Sequence, residues 1–443
     1  MNVIVIGGVA AGMSAASKLR RTDPDAVITV FERGAFPTYG ACGLPYYISG
    51  ENDDYERMIA RKEDVFKKQG IDVRLKHEVL KVDFGRRQVM VKDLTTGSVW
   101  IEAYDRLMIA TGTKAIVPPI PGTGLDRVRV LKTMEDGLRM KEELDQPSVR
   151  HVTIIGAGYI GIEMAEALRT LKKDVCVIEM APRILMPFDE EISNVARDEL
   201  ITNAVSLHLS EAVQEITDTG RGLSVKTAQG AYETDYVILS AGVRPATDLF
   251  TDTALQLDGR GAVVVDKEMR TNLPDVFAAG DCATVYNKVK DETDYIPLGT
   301  NANKGGRIAG ENLAGGRKKY TGTLGSAAIK VFNAELGRTG LTEEEAKMRY
   351  EDVTTVTVTA NDHPGYYPGS TPLLIKLICE KRTRKILGGQ IAGAKGAVLR
   401  VDLIALAIHN GMTSDELGMV DFCYAPPFAG VWDAVHIASN AVK

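Results

Sequence analysis

An α/β fold with two Rossmann-like parallel-sheet units and a smaller C-terminal α+β domain is predicted by three features of this chain. A strand, a glycine turn and a helix occur twice; the strands of both copies are wholly apolar; and the texture changes to alternating strands from about Thr323. A length of 443 residues agrees, because one hydrophobic core does not serve so long a chain and two to four domains are expected.

The first copy runs Val3-Ile4-Val5-Ile6-Gly7-Gly8-Val9-Ala10-Ala11-Gly12, then a helix through Met13 to Leu19, then a strand Val27 to Phe31 that ends in Glu32. The second runs Val152-Thr153-Ile154-Ile155-Gly156-Ala157-Gly158-Tyr159-Ile160-Gly161, a helix from Ile162 to Leu171, and a strand Val175 to Ile178 that ends in Glu179. Strands with no polar alternation are buried on both faces, which is the mark of βαβ units in a parallel sheet. The glycines make the tight turn, let the backbone approach a pyrophosphate and let the helix pack close to the strand. The pyrophosphate then meets the free N–H groups at the helix N-terminus. Two dinucleotides are therefore expected. Gly156, Gly158 and Gly161 complete G-x-G-x-x-G, and Glu179 is placed to accept the ribose hydroxyls. Its charge repels a 2′-phosphate, so NADH is favoured, with NADPH as the alternative. The first copy departs from the fingerprint at Val9, but Glu32 follows Gly12 by 20 residues.

Tyr104 to Gly112 and Tyr236 to Gly242 are buried strands ending in small residues, and they read as domain junctions; Pro118, Pro119 and Pro121 stiffen the exit from the first. Thr271 to Cys282 is a strand ending in Gly280-Asp281. An acid there points into a ligand crevice and binds a polyol hydroxyl, or caps a following helix. Beyond Thr323, strands are expected over Val353 to Thr359 and Leu373 to Cys379, with a helix from Ala397 to His409.

The composition, with 44% hydrophobic and 25% charged residues, is that of an ordinary globular protein. A net charge of −6 gives no footprint for nucleic acid or an anionic membrane, so a small-molecule substrate fits better. The chain begins Met1-Asn2-Val3 without a basic leader and has no apolar run near ~18 residues, so a cytoplasmic location is expected. Five scattered cysteines make no disulfide scaffold, and no Cys/His cluster has metal spacing. His409 and His436 lie in helical stretches and read as structural. Cys42 stands alone downstream of the first glycine loop, far from Cys176, Cys282, Cys379 and Cys423. Its bland reading is a small apolar side chain. Its chemical reading is a redox thiol that borrows its sulfur partner from a substrate.

In order, G-x-x-x-x-G with Glu32, Ala110-Thr111-Gly112, Gly156 to Gly161 and Ala278 to Asp281 resemble the FAD/NAD(P)H-dependent pyridine nucleotide-disulfide oxidoreductases. The resemblance covers essentially the whole chain. It implies an FAD domain at 1–115 and 247–322, an NAD(P)H domain at 116–246 and a dimerisation domain at 323–443. FAD is then held by Gly7, Gly8, Ala10, Ala11, Gly12, Glu32, Arg33, Ala110, Thr111, Gly112, Gly280, Asp281 and Ala302. The nicotinamide dinucleotide is held by Gly156, Gly158, Tyr159, Ile160, Gly161, Glu179 and Gly242.

Cys42 to Tyr47, Asn301 to Lys304, Gly337 to Gly340 and Tyr424 to Pro427 are similar to the single-cysteine branch, most of all to coenzyme A-disulfide reductase. That branch also includes NADH oxidases, NADH peroxidases and persulfide or polysulfide reductases. Its oxidases and peroxidases carry a His where this chain has Ala10, which turns the expectation from oxygen toward sulfur. Tyr366 and Tyr424 match the tyrosines that the reductases contribute from the partner subunit of a homodimer, with Tyr367 adjacent. A phenol can donate a proton to a departing thiolate. Ala41 departs from the Asn found before the redox cysteine in some members. Persulfide-reducing members often carry a further sulfurtransferase domain; the sequence to Lys443 holds none, so that activity is the less expected one without being removed. The expected chemistry is NADH-driven reduction of a mixed disulfide between Cys42 and coenzyme A, with Cys42 activated by a lowered pKa. Lys18, Arg20, Arg21, Tyr39 and Asn303 are the candidate substrate contacts.

Overall fold

Strands Asn2–Ile6 and Val27–Glu32 flank the helix Ala10–Thr22 in a computed structural model that describes residues 1–443. With Ile71–Leu75, Arg106–Ile109 and Val276–Ala278 they form one sheet, in the spatial order 276–278, 106–109, 2–6, 27–32, 71–75. Every pairing in it is parallel. Val3 and Val5 are fully buried and Ile4 and Ile6 nearly so, the double-sided burial that an unbroken apolar run requires. The second sheet repeats the plan in the order 205–208, 174–178, 151–155, 236–239, 128–130, again wholly parallel. Each unit also carries a three-stranded antiparallel sheet at the same point of its sequence, 77–103 in the first and 213–234 in the second. The duplication thus extends beyond the glycine loops.

Both glycine-loop helices start earlier than expected, at Ala10 and at Tyr159. The reason is that Gly12 and Gly161 lie inside the first turn instead of before it. The first sheet takes its last strand from Val276–Ala278, after the second sheet is complete. Chain exit and return are joined where Thr113–Ala115 pairs antiparallel with Val243–Pro245, directly after Gly112 and Gly242.

The C-terminal part is a five-stranded antiparallel sheet, ordered 327–331, 334–340, 386–393, 372–380, 353–361. The expected elements appear as strands Val353–Asn361 and Pro372–Glu380 and the helix Ala397–Asn410.

Two of the joints that tie this part to the rest bear on the site. Leu44 and Ile48, just after Cys42, share a core with Met164 and Leu168 of the second unit and with Ile329 and Val331 of the C-terminal sheet. The second joint is ionic: Lys376, 3% exposed, places its Nζ 3.1 Å from Asp189, 2.7 Å from Glu191 and 2.6 Å from Glu343. Gln390 clamps Asp189 from both sides, accepting from its N–H at 2.8 Å and donating to its carboxylate at 2.9 Å. No helix is long and apolar enough to cross a membrane.

Candidate active site

In the first loop Gly7 has φ +107°, and a Cβ there would lie 2.2 Å from the carbonyl oxygen of Ala110; a Cβ on Gly12 would lie 1.9 Å from that of Gly7. The second loop repeats both constraints: Gly156 at φ +105° lies against Ser240, and Gly161 against Gly156. Neither helix has a side-chain cap, since Val9 and Gly158 occupy the N-cap positions, so the first-turn N–H groups are free for an anion. Glu32 accepts from the N–H groups of Gly8 and Gly34 at 2.6 and 2.7 Å. Glu179 accepts from those of Ala157 and Ala181, both at 2.7 Å. Two cradles that a methyl group would fill, each beside a fixed carboxylate, fit two dinucleotides.

Other predicted contacts gather around these cradles. Gly280 approaches Ala11 so closely that a Cβ would sit 2.9 Å from the alanine methyl. Ala302 is buried on the helix Gly299–Leu313, which packs along Ala10–Thr22. The Thr111 hydroxyl is buried without a partner, as is that of Tyr159, which burial pushes up to about 12. Ile160 is half-buried beside Tyr159, whereas Arg33 is exposed. Asp281 is followed by a turn and the strand Val285–Asn287, so it caps no helix. Its carboxyl is raised by burial, against Lys132 at 3.9 Å.

Cys42 lies in a 3-10 turn, Ala41–Gly43, that leads into the helix Leu44–Ser49. Three parts of the chain converge on it. The thiol keeps an open face, yet burial by the protein behind it pushes its pKa up, followed by the carboxylates of Glu163 and Asp281, while Lys132 pulls it down. The expected activation is therefore not built into the polypeptide around Cys42: desolvation disfavours the thiolate, and two acids outweigh one lysine. Three of the other cysteines are held back too: burial pushes Cys282 up and is the main cause of raising Cys176 to about 11 and Cys379 to about 12.

Glu163 and Glu166 escaped the sequence reading. They sit three residues apart on the helix Tyr159–Thr170, the spacing that puts two side chains on one face. Burial, then the charge of Glu166, pushes Glu163 up to about 7. Glu166 pairs with Lys330 and accepts from the N–H of Phe332 at 2.9 Å, so it faces the C-terminal sheet. The legible signal was two acids spaced i, i+3 behind a glycine loop.

The candidate substrate residues divide. Asn303 accepts from the Ser14 hydroxyl at 2.9 Å across the helix pair, Lys18 meets Glu311 at 3.2 Å, and Arg21 is exposed. Arg20 corrects the expectation. It donates to the carbonyls of Pro24, Ala26 and Gly70, so its guanidinium closes the end of its own helix and is not presented to a ligand. Burial raises the Tyr39 phenol, followed by the charges of Glu32 and Glu135, so it lies near the acid of the first unit.

On the C-terminal part, the hydroxyls of Tyr366 and Tyr424 stand 3.4 Å apart, with the two residues 74% and 50% exposed. Tyr367 instead packs edge-on against His363, ring centres 5.6 Å apart. The C-terminal part also exposes the large apolar side chains of Leu399, Leu406, Phe428, Val431 and Trp432. No group of three or more His, Cys, Asp or Glu side chains is placed to hold a metal ion.

Comparison with known proteins agrees with this geometry. Residues 1–306 match the family described as pyridine nucleotide-disulphide oxidoreductase, and residues 326–435 match the dimerisation domain of the same family. The chain is 35% identical over 442 residues to an NAD(P)H coenzyme A polysulfide/persulfide reductase of Pyrococcus horikoshii, covering 100% of this chain and 98% of the relative. It is 29% identical to a coenzyme A disulfide reductase of Staphylococcus haemolyticus, covering 98% of each. The water-forming NADH oxidase from Lactobacillus brevis, solved bound to NADH, superposes with a TM-score of 0.96 at 34% identity, covering 100% of this chain and 98% of that one. This chain therefore belongs to the pyridine nucleotide-disulphide oxidoreductases, as an FAD- and NAD(P)H-dependent enzyme.

Proposed function

We propose that the enzyme uses NADH to reduce coenzyme A disulfide, or a closely related coenzyme A persulfide, through a mixed disulfide between Cys42 and coenzyme A. The observation that carries this reading is a solitary open thiol beside the two nucleotide cradles, with every other cysteine unpaired and Cys176, Cys282 and Cys379 held as thiols by burial. Cys42 attacks one sulfur of the substrate disulfide. The sulfur–sulfur bond breaks, a Cys42–coenzyme A disulfide forms, and one coenzyme A thiolate departs. In a homodimer formed through the apolar surface of the C-terminal part, Tyr366 and Tyr424 of one protomer serve the Cys42 of its partner and protonate that thiolate. Bound FAD supplies the relay that carries two electrons from the dihydronicotinamide to sulfur. Cys42 is released as thiolate when the mixed disulfide is cleaved, and the second coenzyme A leaves as thiol. In sum, coenzyme A disulfide, NADH and a proton give two coenzyme A thiols and NAD+.

Glu179 supports NADH as the donor, because its carboxylate suits two ribose hydroxyls and repels a 2′-phosphate. Ala10 supports sulfur over oxygen, because a methyl group offers no proton at the first loop. The test is intact mass of the purified holoenzyme before and after reductant, with turnover of Cys42→Ser. A coenzyme A adduct on Cys42 that reductant removes, and loss of disulfide reduction in the variant, are expected. Retained turnover in Cys42→Ser, or NADH use matched by oxygen consumption without thiol release, would replace this reading.

A further inference from the structure

Tyr366 and Tyr424 are 58 residues apart in the chain and lie on separate loops, yet their hydroxyls stand 3.4 Å from each other. Neither phenol is packed tightly enough to fix that spacing, so the loops beneath must. The Tyr366 loop joins strands Val353–Asn361 and Pro372–Glu380. Its base is closed by Asp362, whose carboxylate accepts from Thr371 N–H at 2.9 Å and meets His363 Nδ1 at 2.9 Å. The Tyr424 loop turns back on itself, Phe428 N–H donating to the Ala425 carbonyl at 2.9 Å, and runs on to Asp433. Asp433 is 6% exposed and caps the last helix, accepting from Val435 N–H at 2.9 Å.

One side chain reaches all of these. Arg400 projects from the helix Ala397–Asn410, with its side chain 11% exposed. Its Nε and Nη2 hold the Asp433 carboxylate at 3.0 and 2.9 Å. The same Nη2 donates to the Asp362 carbonyl at 2.7 Å and to the Phe428 carbonyl at 3.3 Å. The ion pair with Asp433 alone would be an ordinary buried clamp. The two loop carbonyls are what set it apart, since one lies four residues before Tyr366 and the other four residues after Tyr424. A planar fork of five donors suits this task, and a lysine, with one compact ammonium, cannot span it.

We propose that Arg400 is a positioning residue whose guanidinium ties the Tyr366 loop to the Tyr424 loop and thereby holds the two phenols as one proton-donating unit. The inference rests on the proposed function, in which that unit protonates the departing coenzyme A thiolate. Displacing reacting groups by about 1 Å can cost ~100-fold in rate, so the effect belongs to one half of the catalytic cycle.

The experiment uses the FAD-loaded dimer in stopped flow, with NADH reduction of the flavin and reoxidation by coenzyme A disulfide followed separately. For Arg400→Gln, an unchanged dimer and flavin reduction within about twofold of wild type are expected, with reoxidation slowed at least ~10-fold. Tyr366→Phe/Tyr424→Phe should slow the same step. Adding Arg400→Gln to that double variant should cost less than about twofold more, because a residue acting through the phenols has nothing left to position. Arg400→Lys keeps the charge beside Asp433 and should leave reoxidation slowed with the dimer intact; it also serves if the glutamine variant does not fold. Additive losses, recovery of reoxidation in Arg400→Lys, or equal slowing of both half-reactions would overturn the positioning role while leaving the proposed function in place. Normal reoxidation in the double phenylalanine variant, or failure of coenzyme A disulfide to reoxidise wild type, would overturn the proposed function and this inference with it.

Discussion

Replacing Lys376 with methionine keeps the aliphatic stem and removes the ammonium from between Asp189, Glu191 and Glu343, which lie 3.1, 2.7 and 2.6 Å away. Three carboxylates are then left facing one another in the seam between the second nucleotide unit and the C-terminal sheet. Breaking a buried ion pair from one side costs about 3–5 kcal/mol. Glu191 and Glu343 have side chains 37% and 27% exposed, so water relieves part of the repulsion and the expected loss is near the lower end, about 3 kcal/mol. Unfolding of a chain with several cores is not two-state. The loss is therefore read locally, in urea, from the fluorescence of Trp432 in a Trp100→Phe background.

The pH dependence gives the sharper check. Burial raises Glu191, but the Lys376 hydrogen bond, a backbone hydrogen bond and the Lys376 charge together outweigh it and the net shift is downward; Glu343 is lowered by Lys347 and then by Lys376. A depressed carboxylate contributes stability above its ordinary value of 4.5 and loses it as pH falls through the folded value. The variant's deficit should be full at about pH 7 and reduced at about pH 3, below the ordinary carboxylate value, and adding Glu191→Gln with Glu343→Gln should restore part of it. A deficit under about 1 kcal/mol at neutral pH, or one that is the same at both pH values, would refute the argument.

Glu163→Gln should speed alkylation of Cys42 by iodoacetamide near about pH 8.5 and leave it unchanged near about pH 6, because Glu163 raises the thiol only when ionised, above about 7. An equal effect at both pH values would count against it. Glu179→Ser should lower kcat/KM for NADH by at least ~10-fold through lost charge-assisted hydrogen bonds, and raise the NADPH to NADH preference; steady-state kinetics with both donors decide. Arg20→Met should cost about 1–3 kcal/mol of stability in urea while leaving KM for coenzyme A disulfide unchanged, since its partners are three carbonyls of its own chain. A raised KM with unchanged stability would return Arg20 to the substrate.

The nucleotide units were legible because their chemistry is local: Gly7 and Gly12, or Gly156 and Gly161, satisfy constraints set within a dozen residues, and the acid at the next strand end follows from strand length. Cys42 was visible by its isolation, yet the sign of its pKa shift was not. That sign depends first on burial by the folded chain and then on Glu163 and Asp281, which come from elements far away in sequence. Arg20 was misread for the complementary reason, since a basic residue at a helix end looks the same whether it faces solvent, a phosphate or the carbonyls of Pro24 and Gly70. Asp281 before Cys282 carried a cap signal that the chain answers with a turn and a strand. The Lys376 and Arg400 networks join residues separated by 28 to nearly 200 positions, and no local pattern announces them.

Glu32 and Glu179 are each clasped by two backbone N–H groups, with both oxygens engaged. A glutamate frozen on binding would give up as much as about 1.5–2 kcal/mol of rotamer freedom. Here that freedom is already gone when the chain has folded, and each oxygen still has a lone pair to offer. On the proposed reading, a ribose arriving at either carboxylate would meet an aligned acceptor instead of ordering one, and both dinucleotides would gain affinity from rigidity in the free protein.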